Sequence, residues 1–302
     1  MLLTLKNTFP SGVRYMALSA LGFALMAACV KLVSTHGIPV LEIVAARALV
    51  SLVLSFIDVK RKKISLWGNN KPLLLARGAA GTMALMCVYY AVATLPLAEA
   101  TILQYLHPVF TALLAVIFLR EHIQKSTILC IAFCLAGLMI MVKPGLIAGN
   151  VTELPWLSVA AALTGAFGSA IAYVIVKKLS RAEDSSVIIF YFPLVALPVS
   201  LLLLGDSFVM PEKEVLLLLI LVGVFTQIGQ IGLTKAMQTE VASKATAYSY
   251  VQVVFSIILG WLFFYEVPSV WTLLGGTLII AGALINVFGS THFKSLRKRQ
   301  AP

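Results

Sequence analysis

The sequence predicts an all-α polytopic membrane protein whose ten transmembrane helices form two inverted five-helix repeats. Three observations lead there. The chain is 60% hydrophobic and 12% charged, with a mean hydropathy of +0.99, whereas a soluble globular chain carries about 25% charged residues. Apolar runs of about 20 residues, the length that spans a hydrocarbon core, recur along nearly the whole chain. The second half also repeats the first.

The spans expected in order are residues 13–35, 39–58, 73–94, 97–119, 126–143, 155–178, 186–205, 214–235, 243–265 and 269–290. Short connections separate them, several holding Pro or Gly as in His36-Gly37-Ile38-Pro39, and leave no room for a soluble domain. The first repeat is expected over 13–145 and the second over 155–290, followed by a basic tail at 291–302. The basic, then apolar, N-terminus has the look of a signal peptide. Residues 15–34 have a counterpart later in the chain, so they are expected to be kept as a span.

Of the 23 Lys and Arg, nineteen fall on the side of the two termini, including Arg77 at the end of the 58–77 loop. Lys143 and Lys213 fall on the other side, and Lys31 and Arg47 lie within spans. This bias places both termini in the cytoplasm, in a plasma (inner) membrane, by the positive-inside rule. It also accounts for the net charge of +11 without a nucleic-acid partner.

At a shift of 145, residues 100–140 lie over 245–285 with 13 identities in 41 positions, among them Tyr105/Tyr250, Phe110/Phe255, Glu121/Glu266 and Gly137/Gly282. A weaker match near 146 pairs Gly22 with Gly168 and Lys31 with Lys177. Each repeat holds five spans, an odd number, so the copies sit upside down relative to each other. That construction puts a site at the midplane between copies in many secondary transporters.

The fourth span carries a polar stripe. Gln104, His107 and Thr111 follow at steps of three and four and share one helical face. Pro108 follows His107, and a mid-helix proline removes the bond to the Gln104 carbonyl and favours a kink. The repeat maps the stripe onto Ser249, Gln252 and Ser256, similar in type though not in residue. Such residues can glue helices together in lipid; paired on inverted helices at one depth, they point to a shared central cavity. The preceding helices offer Thr82, Tyr89 and Tyr90 in one half and Gln227, Gln230 and Thr234 in the other as further walls.

Ionisable groups within spans are functional hypotheses by default. Lys31 and Glu42 flank the 35–39 turn at similar distances, which suits a structural ion pair across the hairpin. Arg47 lies deeper, and either meets an anionic group or bonds backbone carbonyls. Glu121 and Glu266 end the fourth and ninth spans as capping or gating groups. Gly275, Gly282 and Gly289 in the tenth span, with Cys130 and Gly137 in the fifth, make small-residue faces. They seat these helices on the bundle or form a homodimer contact. Cys29, Cys87, Cys130 and Cys134 lie in apolar runs with no histidine or carboxylate close by, so packing is expected rather than metal binding. No cofactor is expected.

Tyr90-Ala91, Leu95 to Ala100, Pro108 to Ala115, Phe118-Leu119-Arg120-Glu121, Lys143-Pro144-Gly145 and Arg47 carry a resemblance. Together they make the chain similar to the drug/metabolite transporter superfamily, specifically its EamA-type members with two five-helix repeats. The likeness covers nearly the whole chain. It implies cytoplasmic termini, a central cavity lined mainly by helices 1, 3, 4, 6, 8 and 9, and alternating access rather than chemistry. Val253 stands where Pro108 would recur, so the two halves are expected to kink unequally. Substrates across that family range over amino acids, polyamines, nucleotide derivatives, carboxylates and sugars. The layout is similar to members that carry S-adenosylmethionine or organic anions.

The function expected is secondary-active or facilitative transport of a small polar metabolite: amino-acid-like, a nucleoside derivative or an organic anion. Its partners are that solute and the bilayer. The rivals are a membrane-embedded enzyme, for which no HExxH, GxSxG or clustered acids appear, and a receptor or scaffold, for which the short loops leave little surface.

Overall fold

The computed structural model describes residues 10–94, 103–147, 155–265, 267 and 269–299. Its spans are α1 (Ser11–Ser34), α2 (Val40–Arg61), α3 (Lys71–Thr94), α4 (His107–Leu119), α5 (Lys125–Ile147), α6 (Trp156–Leu179), α7 (Ser185–Leu204), α8 (Lys213–Thr239), α9 (Ala242–Phe264) and α10 (Val270–Arg299). Seven are long and apolar enough to cross a bilayer. The other three, α4, α5 and α10, have shorter apolar stretches among the described residues.

Local chemistry sets the boundaries. Gly37, at φ +73°, supplies the left-handed turn after α1, and Pro39 precedes the first turn of α2. The Asp184 carboxylate caps α7 by accepting from the Ser186 amide at 2.8 Å.

Neighbouring helices reveal the internal symmetry. α1 packs on α8 as α6 packs on α3; α2 on α8 as α7 on α3; α1 on α9 as α6 on α4. α2 packs on its own counterpart α7, and α5 on its counterpart α10. Exchanging the halves therefore maps these principal contacts onto one another. With five spans per half, the pseudo-two-fold axis lies in the membrane plane and the repeats are inverted.

Glycines permit the close crossings. A Cβ on Gly22 would meet the Gly229 nitrogen at 2.8 Å, and a Cβ on Gly168 would meet the Ala84 Cβ at 3.1 Å. In the α5–α10 contact, a Cβ on Gly137 would lie 2.6 Å from the Gly275 carbonyl oxygen, and one on Gly282 3.1 Å from that of Cys130. The small-residue faces of α5 and α10 are thus turned on each other within one chain. They seat the two helices against each other. Cys130 and Cys134 are buried in the same contact.

The side holding both termini is tied by polar contacts between helix ends. The Lys62 ammonium donates to the Asp184 carboxylate at 3.0 Å and pairs with Asp58 at 3.2 Å. Glu183 accepts from the backbone amides of Asn69 and Asn70 at 2.6 and 2.7 Å. Partial burial alone would raise the Asp184 carboxyl; the Ser186 amide, Lys62 and the Ser186 hydroxyl outweigh it and hold the group below its ordinary range.

Two charged residues settle differently from the sequence expectation. Glu42 accepts from the Val209 amide at 2.9 Å instead of pairing with Lys31, whose ammonium lies 4.4 Å from the centre of the Phe264 ring. The carboxylate gains a directed donor there, which a lysine on the neighbouring helix does not have to supply. Glu121 accepts from the Ala242 amide with both oxygens, at 3.1 and 2.9 Å, capping the N-terminus of α9. Glu266 lies outside the described residues.

Candidate functional site

A cavity of about 190 Å³ lies between the two halves. It is lined from α1, α3, α4, α6, α8 and α9, and also by Arg47 of α2 and Phe192 of α7. Of the residues singled out from the sequence, it brings together Arg47, Tyr89, Gln104, His107, Gln230, Ser249 and Gln252.

The chain breaks helical continuity where it passes this cavity. Tyr105 and Leu106 form a turn and α4 restarts at His107, so Pro108 sits in a first turn, where its missing N–H costs nothing. The Gln104 carbonyl, which a residue with an N–H at 108 could have claimed, is taken by His107 Nδ1 at 3.1 Å. The opposite ring nitrogen, Nε2, lies 3.5 Å from Ser249 Oγ. Tyr173 meets the His107 ring edge-on, with centroids 5.4 Å apart.

The second half breaks at the matching place without a proline. Tyr248–Tyr250 of α9 tighten into a 3₁₀ turn. Ser249 Oγ donates to the Thr246 carbonyl at 2.7 Å, and Thr246 Oγ1 to the Ala242 carbonyl at 2.9 Å. Back-bonding of this kind bends helices. Two different chemistries thus interrupt both helices at the same level. Tyr105 and Tyr250, equivalent in the repeat, stack 5.8 Å apart where the pseudo-two-fold axis passes, and the Tyr250 hydroxyl donates to the Tyr105 carbonyl at 3.0 Å.

Six expected wall residues are not in the lining: Thr82, Tyr90, Thr111, Gln227, Thr234 and Ser256. Thr111 is buried and donates to the His107 carbonyl at 2.7 Å, one turn behind the cavity. Gln227 donates to Ser55 Oγ at 2.9 Å, between α8 and α2. Tyr90 is 44% exposed on the outer surface of the bundle. The stripe is thus longer than the cavity: Thr111 shares the His107 face one turn further along α4, beyond the lining residues.

The residue that sequence reasoning misplaced is Arg77. Counted with the 58–77 loop, it is 3% exposed and lines the cavity. Its Nη2 donates to Gln230 Oε1 at 3.3 Å, and its guanidinium lies 5.2 Å from the centre of the Phe192 ring. Arg47, 5% exposed, lies 5.5 Å from that same ring centre. Its Nη1 donates to the Tyr89 hydroxyl at 3.3 Å. The signal was present: Arg77 lies inside the apolar run beginning at 73, with Gly78 and Gly81 clearing space around it. A Cβ on Gly81 would run into the Arg77 guanidinium. Removing Arg77 leaves the bias of basic residues toward the termini intact.

The model of the EamA-like transporter family matches twice along the chain, over residues 10–143 and 156–288. The chain belongs to the EamA-like transporter family. Among its relatives, the pseudopaline exporter CntI of Pseudomonas aeruginosa is 32% identical over 275 residues, covering 91% of this chain and 95% of that one. Solute carrier family 35 member G1 is 31% identical in mouse, covering 93% of this chain and 78% of the relative. A crystal structure with 17% sequence identity superposes with a TM-score of 0.78, over 92% of this chain and 98% of the other, and shares the fold. EamA-like membership makes the chain a multi-pass integral membrane protein and a transporter. The ten helices and doubled architecture derived above match what the family resemblance implied.

Proposed function

We propose that this EamA-like protein carries a small polar solute across the membrane by alternating access, as a secondary or facilitative carrier. The observation that carries the reading is the position of the cavity, on the pseudo-two-fold axis and lined by both halves. Inverted repeats can exchange conformations, so that one central site faces each side in turn. Gln104, His107, Gln230, Ser249 and Gln252 hold the solute, with Arg47, Tyr89 and Arg77. The excess of Lys and Arg beside the termini supports a cytoplasmic location for both, in a plasma (inner) membrane. The name of the Pseudomonas relative supports export as the direction.

Reconstitution of the full chain into liposomes with a panel of labelled metabolites tests the reading. Flux without chemical change is expected, and His107→Ala or Gln252→Ala should lower it at least about tenfold while membrane insertion is retained. Wild-type flux in both variants would overturn the cavity assignment. Chemical conversion of a panel member would favour an enzyme.

A further inference from the structure

The cavity's charge is one-sided. Two arginines enter it, and no Asp or Glu is among its described lining residues. Both guanidiniums lie over the Phe192 ring, close enough to each other for their charges to repel. A guanidinium offers five N–H donors, and these are poorly used. Arg47 has the Tyr89 hydroxyl and the Met26 sulfur, at 3.3 and 3.7 Å, and its Nε is buried without a partner. Arg77 has Gln230 at 3.3 Å, while its Nε and Nη1 are buried without partners. Asp58, Asp184 and Glu240, which pair with lysines among the described residues, stand at helix ends on the side of the termini.

Two buried cations sharing one aromatic ring are not a stable arrangement in themselves. Cation–π contact recovers part of the lost hydration, but truncating the ring or the charge is not how such a site is completed. An oxyanion completes it, because the guanidinium fork matches a carboxylate or phosphate with two parallel hydrogen bonds. We infer that the solute is an anion, held through a carboxylate or phosphate group between Arg47 and Arg77. This rests on the transport reading above and names the solute class that the same cavity takes. Phe192 sets the spacing of the two cations, and the Gln230 oxygen orients one of them. The second half of the chain thus positions a charge that the first half supplies.

The test uses the purified full chain and reads binding separately from flux. Thermal unfolding in detergent is followed with millimolar succinate, its uncharged diamide succinamide, inorganic phosphate, and sodium chloride at matched ionic strength. Succinate or phosphate should raise the melting temperature above the chloride control while succinamide does not. The two anions in separate arms tell a carboxylate from a phosphate site. Arg47→Gln and Arg77→Gln should each weaken the apparent affinity for the stabilising anion about 30-fold or more. Arg77→Lys, which keeps the charge and loses the fork, should retain a smaller shift, and decides the matter together with Arg47→Gln if Arg77→Gln does not fold. Equal stabilisation by succinamide, no shift with either anion, or an unchanged shift in the glutamine variants would overturn the inference. In liposomes, flux that ignores solute charge would overturn the anion and leave transport standing. A shift in detergent with no flux of any anion would do the reverse.

Discussion

The two halves of this molecule share a scaffold and divide the chemistry. Their principal helix contacts exchange, and Tyr105 and Tyr250 meet on the axis between them. The side chains facing the cavity do not exchange. The first half brings Arg47, Arg77 and His107; the second brings Phe192, Tyr173, Gln230, Ser249 and Gln252, all uncharged. At a shift of 146 Arg47 falls on Pro193, and at 145 Arg77 falls on Val222. On the transport reading proposed above, symmetry is kept where two conformations exchange, in the backbone crossings. It is given up where one solute must be gripped, since a duplicated arginine set would double the buried charge.

The crossings themselves are a place to break the comparison. Gly22 meets backbone atoms of Gly229 and Phe225 at 2.8 to 3.1 Å, whereas its equivalent Gly168 meets the Ala84 Cβ at 3.1 Å and little else. Gly22→Ala should therefore destabilise the fold by about 1–3 kcal/mol through overpacking against backbone that cannot yield. Gly168→Ala should stay within about 1 kcal/mol of the parent, because the gain in helix propensity offsets the tighter contact. Unfolding in mixed detergent micelles measures both; equal losses would show that the two crossings are equally tight.

Glu121 tests the joint between halves, because it ends α4 and caps α9. Glu121→Ala leaves the buried Ala242 amide without its acceptor and should lower stability by about 1–3 kcal/mol. Protection of the Ala242 amide in hydrogen exchange should fall with it; unchanged protection would mean another acceptor takes over.

Pro108→Ala sharpens the comparison with the smallest effect on folding. Pro108 sits in the first turn of α4, where its missing N–H leaves no bond unmade, so stability should change by less than about 1 kcal/mol. The new amide at position 108 would compete with His107 Nδ1 for the Gln104 carbonyl, so flux should drop more than stability does. A variant with parental flux would show that the proline serves the turn alone.

Much of the fold was legible in the sequence because its signals are long and redundant. Hydropathy over 20-odd residues locates a span within a few positions, and 13 identities across the repeat fix the inverted plan. The cavity was legible in part. His107, Gln252 and Ser249 were found through the repeat, which reports depth and face together. Arg77 was missed because a basic residue near a span's end reads as a loop charge, and its burial follows from space at Gly81 and a partner 153 residues away. Thr111 and Gln227 were over-read because helical periodicity reports a shared face and not depth: each lies about one turn from a lining residue, His107 and Gln230, and its side chain bonds elsewhere.

The bond from His107 Nδ1 to the Gln104 carbonyl also gives the cavity an acceptor. A carbonyl only accepts, so Nδ1 carries the proton, and in the neutral ring Nε2 is a bare lone pair. Ser249 does not fill it, because the serine's proton points to the Thr246 carbonyl. The lining therefore offers donors, from Arg47, Arg77 and the Gln230 amide, while the imidazole asks for one. A solute that carries both an oxyanion and an N–H or O–H would find a partner for each in the same cavity.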